Sequence, residues 1–292
     1  MSNIASKGCN PIIPLEEKKS LDEIERSIIK KYKKHTWIKF VKAIKDYELL
    51  KDGDRIAVAI SGGKDSLLMA KLFQELKKHK QINFHIENIV MDPGYHKDIR
   101  KLLEENLSYL NIDATIFSSD IFNVVDKIAK DYPCYLCARM RRGSLYQKAQ
   151  DLSCNKLALG HHFNDVIETT LLNVLYSGNF KTMMPKLKAD NFKNMELIRP
   201  LYYIEEKYIE KFITNAGIWP LNCACMIAAE RTGNKRYEIK ELIANLKKSF
   251  SDVDKSIFRA CENVSMNAIL GFQRNGKDYS FLDFYDNTDK EF

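Results

Sequence analysis

The spacing of apolar and polar positions changes several times along the chain. Between Leu21 and about Leu50, Ile24, Ile28, Trp37, Val41 and Ile44 recur at broadly helical spacing among lysines, which predicts one or two amphipathic helices. KDGD (51–54) is a turn, and RIAVAI (55–60) is a short β-branched run suited to a buried parallel strand. Helical stretches then alternate with short apolar runs: LLMAKLFQELKKH (67–79), FHIENIVMD (84–92), HKDIRKLLEENLSYL (96–110), ATIFSS (114–119), IFNVVDKIAKD (121–131), KLALGHH (156–162) and NDVIETTLLNVLYS (164–177). This order predicts an α/β fold, a parallel twisted sheet with helices on both faces. Past Leu201 the strand signal fades. YIEEKYIEKFITNAG (203–217) and KRYEIKELIANLKKSF (235–250) read as helices around a WPLNCACM loop (219–226), and signals are weak beyond about residue 253. The expected organisation is a lead-in with basic helices over 1–50, a core over 51–205 and a helical C-terminal region over 206–292.

Composition adds bounds. The chain of 292 residues can bury a sizeable core, and its hydrophobic (45%) and charged (29%) fractions are ordinary for a globular protein. No apolar run reaches the roughly 18–20 residues of a membrane span, and the N-terminus lacks the apolar stretch of a secretory signal. A cytoplasmic protein without a membrane partner is expected. A net charge of +7 suits a polyanionic partner without demonstrating one. The excess is uneven: Lys30, Lys31, Lys33, Lys34, Lys39, Lys42 and Lys45 form one group, and Arg139, Arg141 and Arg142 another. An odd count of seven cysteines argues against a disulfide scaffold. Cys9, Cys154 and Cys261 stand alone and read as ordinary small residues.

The densest chemistry lies at SGGKDS (61–66), directly after a strand and before a helix. Loop amides and a helix N-terminus form an anion site, and Gly62 and Gly63 let the backbone approach phosphate oxygens. Ser61 and Ser66 add hydroxyls and Lys64 a point charge. Asp65 repels anions and makes sense beside a bound cation. The spacing is not that of the Walker loop. A strand followed by SGGKDS resembles the PP-loop, or N-type ATP pyrophosphatase, superfamily. That resemblance implies ATP binding and adenylation of a carbonyl oxygen, with pyrophosphate released. Asp92, ending the second strand, either faces the nucleotide or closes a turn before Pro93. GHHFNDVIET (160–169) ends the fourth strand, so Gly160 joins the ATP-binding set and His161 and His162 line the site. Asp165, at a helix start, either caps the helix or holds Mg²⁺ together with Asp65.

PCYLCARMRRG (133–143) presents Cys134 and Cys137 at a spacing that can grip a metal or cluster or pass a disulfide. Cys223 and Cys225 are one residue apart, an awkward second half for a zinc site. Taken in order, DGDRIAVAISGGKDS, CYLCARMRRGSLY, LALGHHFNDVIETTLLNVLYSG, MPKL and IRPL are similar to the tRNA 2-thiocytidine synthetase family from about Glu25 to about Cys225. The resemblance implies a [4Fe-4S] cluster on Cys134, Cys137 and a third cysteine, with one iron free to carry sulfur. Cys223 matches the third position and Cys225 is the alternative, because the family's second CxxC is replaced by Cys223-Ala224-Cys225. Asn164 stands at the first aspartate of a GHHxDD pattern, which leaves the ATP and Mg²⁺ role to Asp165.

The implied reaction adenylates a cytidine 2-carbonyl of the anticodon loop, and sulfur then expels AMP. Asp65, Asp165 and Arg142 are the expected catalytic residues, Arg142 neutralising the anionic intermediate. Arg139 and Arg141, with Lys31 and Lys34, are expected to contact tRNA. A cysteine desulfurase or other sulfur donor and a homodimer are implied by the family. Two rivals are a 2-thiouridine synthetase of the same group and a zinc-stabilised RNA- or nucleotide-binding module without catalysis.

Overall fold

The computed structural model describes residues 17–119, 133–221 and 233–285; over 133–138 and 233–234 it describes the backbone alone. Helices α1 (Leu21–Ile29) and α2 (Trp37–Asp46) precede β1 (Arg55–Ile60), α3 (Lys64–Lys78), β2 (His85–Asp92), α4 (Lys97–Tyr109) and β3 (Thr115–Ser118). Next come α5 (Pro133–Asp151), β4 (Lys156–Ala158), α6 (Phe163–Ser177), β5 (Lys186–Lys188), β6 (Glu196–Ile198) and α7 (Glu206–Asn215). The C-terminal part holds α8 (Gly233–Ser249), α9 (Val253–Glu262), the hairpin β7 (Gly271–Arg274) and β8 (Lys277–Ser280), and the one-turn α10 (Leu282–Tyr285). The helix expected over 121–131 and the loop from residue 222 on lie outside the described residues, as do Cys9, Cys223 and Cys225.

Six strands form one sheet in the order β3-β2-β1-β4-β6-β5, parallel except for β5, which runs antiparallel to β6. The chain leaves β1 for β2 and β3 on one side and returns to β4 on the other, so the topological switch lies between the C-terminal ends of β1 and β4. In open α/β sheets that crevice is where ligands bind. Both sequence segments richest in chemistry, SGGKDS and GHHFND, sit there.

Alternation along β1 divides the core. Ile56, Val58 and Ile60 join a large cluster with residues of α1, α2, α3, α4, α6, α7 and α8. Ala57 and Ala59 face the other way, toward Tyr146 and Ala149 of α5. Small side chains on that face let α5 lie close to the sheet. The lysine-rich α1 and α2 belong to the core as well: Ile24, Ile28, Phe40, Ala43 and Ile44 are buried. Ser20 starts α1 through a capping box with Glu23. Truncating Phe40, fully enclosed against Phe73, would cost about 3–5 kcal/mol.

Three features depart from the sequence-based expectation. β5 and β6 are real strands of three residues each, too short to show a period of two. β4 covers only Lys156–Ala158 of the expected KLALGHH, because after Ala158 the chain turns toward the site. The C-terminal hairpin was not anticipated, although Asn275 and Gly276 at its tip both adopt left-handed φ (52° and 75°), as a two-residue hairpin turn demands.

Candidate active site

The 61–66 loop is held from within. Ser66 Oγ accepts from the Ser61 amide (3.2 Å) and donates to the Gly63 carbonyl (2.9 Å), and Ser61 Oγ accepts from the Gly63 amide (3.3 Å). Gly62 has φ +79°, and a Cβ there would meet the Leu221 side chain at 2.6 Å. The Gly62 carbonyl accepts from the Leu221 amide (2.9 Å), so the segment leading toward Cys223 begins against the loop. Gly160 lies on the loop's other flank, where a Cβ would come within 3.3 Å of Asp65 C and Ser66 N. A side chain at Gly160 would push β4 off the loop.

His162 ties the two expected aspartates together. It caps α6, its Nδ1 accepting from the Asp165 amide (3.4 Å) while Asp165 Oδ2 accepts from the His162 amide (3.0 Å). The other ring nitrogen, Nε2, lies 3.7 Å from Asp65 Oδ1 and 3.9 Å from Glu206 Oε1. Asp65 Oδ1 is buried and accepts no hydrogen bond. Burial pushes the Asp65 carboxyl above its ordinary range, against the pull of His162 and Lys64. A buried, unpartnered carboxylate oxygen next to an anion-binding loop fits a cation such as Mg²⁺. Among the described residues no group of three or more His, Cys, Asp or Glu side chains converges as a metal site. The remaining ligands would therefore be phosphate oxygens and water.

Three cations surround this pair, each bridging two carboxylates. Lys64 Nζ lies 3.4 Å from Asp65 and 3.1 Å from Glu206. Arg236 reaches Asp165 through Nη2 (2.9 Å) and Glu168 through Nε (2.9 Å). Lys240 reaches Glu206 (3.0 Å) and Glu168 (4.0 Å). Burial would raise Asp165, but His162 and Arg236 outweigh it and hold the carboxyl at about 2. Glu206 follows the same logic, with Lys64 and His162 outweighing burial to hold it at about 2. Asn164, at the position where an aspartate was expected, accepts from the Glu206 amide (2.9 Å) and so fixes the start of α7. Glu168, Glu206, Arg236 and Lys240 were missed by sequence reasoning. Arg236 and Lys240 look like surface charges on a basic helix, and nothing local says that α8 crosses the site.

The other expected residues scatter. Asp92 accepts from the amides of Gly94 (2.9 Å) and Tyr95 (2.8 Å) and from Arg100 Nη1 (2.5 Å). Those bonds overcome burial and keep its carboxyl low. Its oxygens are taken by its own turn, which is the turn alternative. Arg139 and Arg142 are exposed and Arg141 half-buried on α5. Lys31 and Lys34 are exposed between α1 and α2. Cys134 and Cys137 occupy the first turn of α5, one helical turn apart. Cys154 is a buried free thiol that burial pushes up to about 11, and Cys261 is partly buried, matching their reading as ordinary small residues.

Comparison with known proteins decides what this geometry belongs to. Residues 32–220 match the PP-loop domain family. The chain is 39% identical over 231 residues to tRNA-cytidine(32) 2-sulfurtransferase of Geotalea uraniireducens, covering 78% of this chain and 91% of that protein. The chain belongs to the tRNA-cytidine(32) 2-sulfurtransferase family. A 2-sulfurtransferase of Vibrio vulnificus is 37% identical, covering 79% of this chain and 74% of the relative. Among solved structures, the U34-tRNA thiolase NcsA from Methanococcus maripaludis, with its [4Fe-4S] cluster, superposes with a TM-score of 0.60 at 25% identity, covering 82% of this chain and 78% of that one. The fold is thus the PP-loop α/β architecture expected from the sequence. The matched PP-loop region ends at residue 220, so in this 2-sulfurtransferase family member Arg236 and Lys240 enter the nucleotide side from beyond it. Among the described residues no helix is long and apolar enough to cross a membrane.

Proposed function

We propose that this chain is an ATP-dependent tRNA thiolase that replaces the 2-oxygen of a cytidine with sulfur. One observation carries the reading: a PP-loop at the topological switch, with a buried unpartnered Asp65 oxygen beside it, in a chain closely similar to 2-sulfurtransferases. Loop amides at 61–66 and the N-terminus of α3 hold the ATP phosphates and stabilise the charge on departing pyrophosphate. Lys64 supplies a cation whose protonated form is favoured by Asp65 and Glu206 over the opposing effect of burial. Asp65 and Asp165 would hold Mg²⁺, which would supply Lewis-acid neutralisation of phosphate charge. Gly160 and Gly62 keep strand, loop and the 221 segment in close register.

A [4Fe-4S] cluster on Cys134, Cys137 and Cys223, with Cys225 as the alternative third ligand, would supply an open position for sulfur. The donor set fits on its chemistry: two cysteines one helical turn apart on α5 suit a thiolate-bound iron site. Both ends of the segment that carries Cys223 and Cys225 are tied to the nucleotide side, through Leu221 to Gly62 and through Arg236 to Asp165. Arg139, Arg141, Lys31 and Lys34 are basic positions for tRNA phosphates, and Arg142 would neutralise the anionic intermediate. A cytoplasmic location, a cysteine desulfurase as sulfur source and a homodimer complete the proposal. The U34-tRNA thiolase likeness favours a second reading, thiolation of a uridine. The test is reconstitution: anaerobically purified protein, ATP, Mg²⁺, sulfide and unmodified tRNA should yield 2-thiocytidine with one AMP per sulfur. Formation of 2-thiouridine selects the second reading. A colourless, zinc-loaded protein that binds RNA without turnover would refute both.

A further inference from the structure

Arg199, in the IRPL segment at the C-terminal end of β6, is 4% exposed. Its backbone is fixed, the amide donating to the Pro185 carbonyl (2.9 Å), and its Nη1 donates to the Met184 carbonyl. Its Nε is shut off from solvent and donates to nothing. Among the described residues no carboxylate lies within ion-pair distance of it. Asp165, the acid whose charge reaches Arg199, is already engaged by Arg236 and the His162 amide. A second polar atom on this side is in the same condition: His161 Nδ1 is buried without a partner. A buried guanidinium lacking a counter-ion is costly, and each unsatisfied buried group calls for a ligand or a reason.

The surroundings add positive charge instead of cancelling it. Burial, then the neighbouring Arg142, pull Arg199 down to about 10. His161 is held neutral near pKa 4, by burial first and with Arg199 and Arg236 contributing. Arg142 is exposed on α5, the helix whose first turn carries Cys134 and Cys137. β6 pairs with β4, and the residues following β4 abut the PP-loop. The position thus lies between the nucleotide side and the cysteine-bearing helix.

We propose that Arg199, with Arg142 and His161, forms an oxyanion site that takes a phosphate group of the substrates. A guanidinium fork with a free Nε–H and a second arginine present the donors a phosphate needs, and His161 adds one in the tautomer with its proton on Nδ1. Two sources share this chemistry: a phosphate derived from ATP, or a backbone phosphate of the bound tRNA.

The test titrates wild type, Arg199→Met, Arg199→Lys and Arg142→Gln with AMP, with inorganic pyrophosphate and with an anticodon stem-loop RNA. Binding and the ligand-induced shift in melting temperature are read together. Arg199→Met should weaken one class of ligand on the order of tenfold or more, with Arg199→Lys intermediate and Arg142→Gln shifted the same way. Weakened AMP and pyrophosphate assign the site to ATP, and weakened RNA assigns it to tRNA. Arg142 is exposed, so Arg142→Gln and Arg199→Lys carry the test if Arg199→Met fails to fold. The proposal is overturned if the folded variants bind every probe within twofold of wild type. A lowered melting temperature with an undiminished ligand shift also overturns it, since Arg199 would then only brace the Met184 carbonyl.

Discussion

The two sides of the β4 strand end treat charge in opposite ways. Toward α6, α7 and α8, Lys64, Arg236 and Lys240 each hold two carboxylates, and Asp65, Asp165, Glu168 and Glu206 each have at least one cation within 4.0 Å. Toward α5, Arg199 is buried beside Arg142, and Arg199 Nε and His161 Nδ1 go unpartnered. The first side is a preassembled frame of paired charges. The second is already short of anions. The contrast teaches that a charge cluster complete in the free protein and one left incomplete ask for different ligands, a cation with its nucleotide in the first case and an anion in the second.

The largest expected effect separates the sides outright. Cys134→Ser should reduce tRNA thiolation to background while ATP affinity stays within about twofold, because the described side chains of α5 contribute none of the ion pairs of the paired frame. Nucleoside analysis and isothermal titration of one preparation check both halves. Next in size, Asp65→Asn should slow ATP-dependent pyrophosphate release on the order of 10²–10³-fold, with tRNA binding unchanged in a filter or gel assay. Unchanged pyrophosphate release would remove Asp65 from the cation site.

Arg236→Gln attacks the frame itself. Among the described residues it leaves Glu168, 2% exposed, with only the 4.0 Å contact to Lys240. Urea denaturation should show a loss of about 1–3 kcal/mol. Adding Glu168→Gln should recover part of that loss, since removing both partners is milder than orphaning one. A double variant no better than the single would contradict the pairing. The smallest effect is a pH dependence. Asp165 and Glu206 have folded values of about 2, below their ordinary values of 3.8 and 4.5. They therefore contribute stability above that ordinary range, and it is lost as pH falls from about 4 toward about 2. Melting temperatures over that interval should fall less steeply in Arg236→Gln than in wild type.

How much was legible follows from how local each signal is. β1, β2 and β3 announced themselves because four or five β-branched or apolar residues stand between turn residues. β5 and β6 did not, since three residues carry no period and their pairing is set by β4. The Asn275–Gly276 turn was readable, yet its flanking strands are mostly exposed and lack an apolar face to confirm them. In the site, residues 61–66 and Gly160 were readable because backbone conformation and close approach constrain residue type. Asp92 stayed open between two readings for the complementary reason: a carboxylate at a strand end looks the same whether it faces a ligand or bonds its own turn. Arg236 and Lys240 were not readable at all, because their partners lie on α6 and α7 and only packing brings them together. The third cysteine rests on resemblance to a family whose pattern this chain alters.

The most direct measurement is mass-spectrometric nucleoside analysis of tRNA from cells lacking this protein, before and after complementation with wild type or with Cys134→Ser. The account predicts that 2-thiocytidine disappears, returns with wild type and stays absent with Cys134→Ser. Unchanged 2-thiocytidine in the deficient cells, or its return with Cys134→Ser, would contradict it.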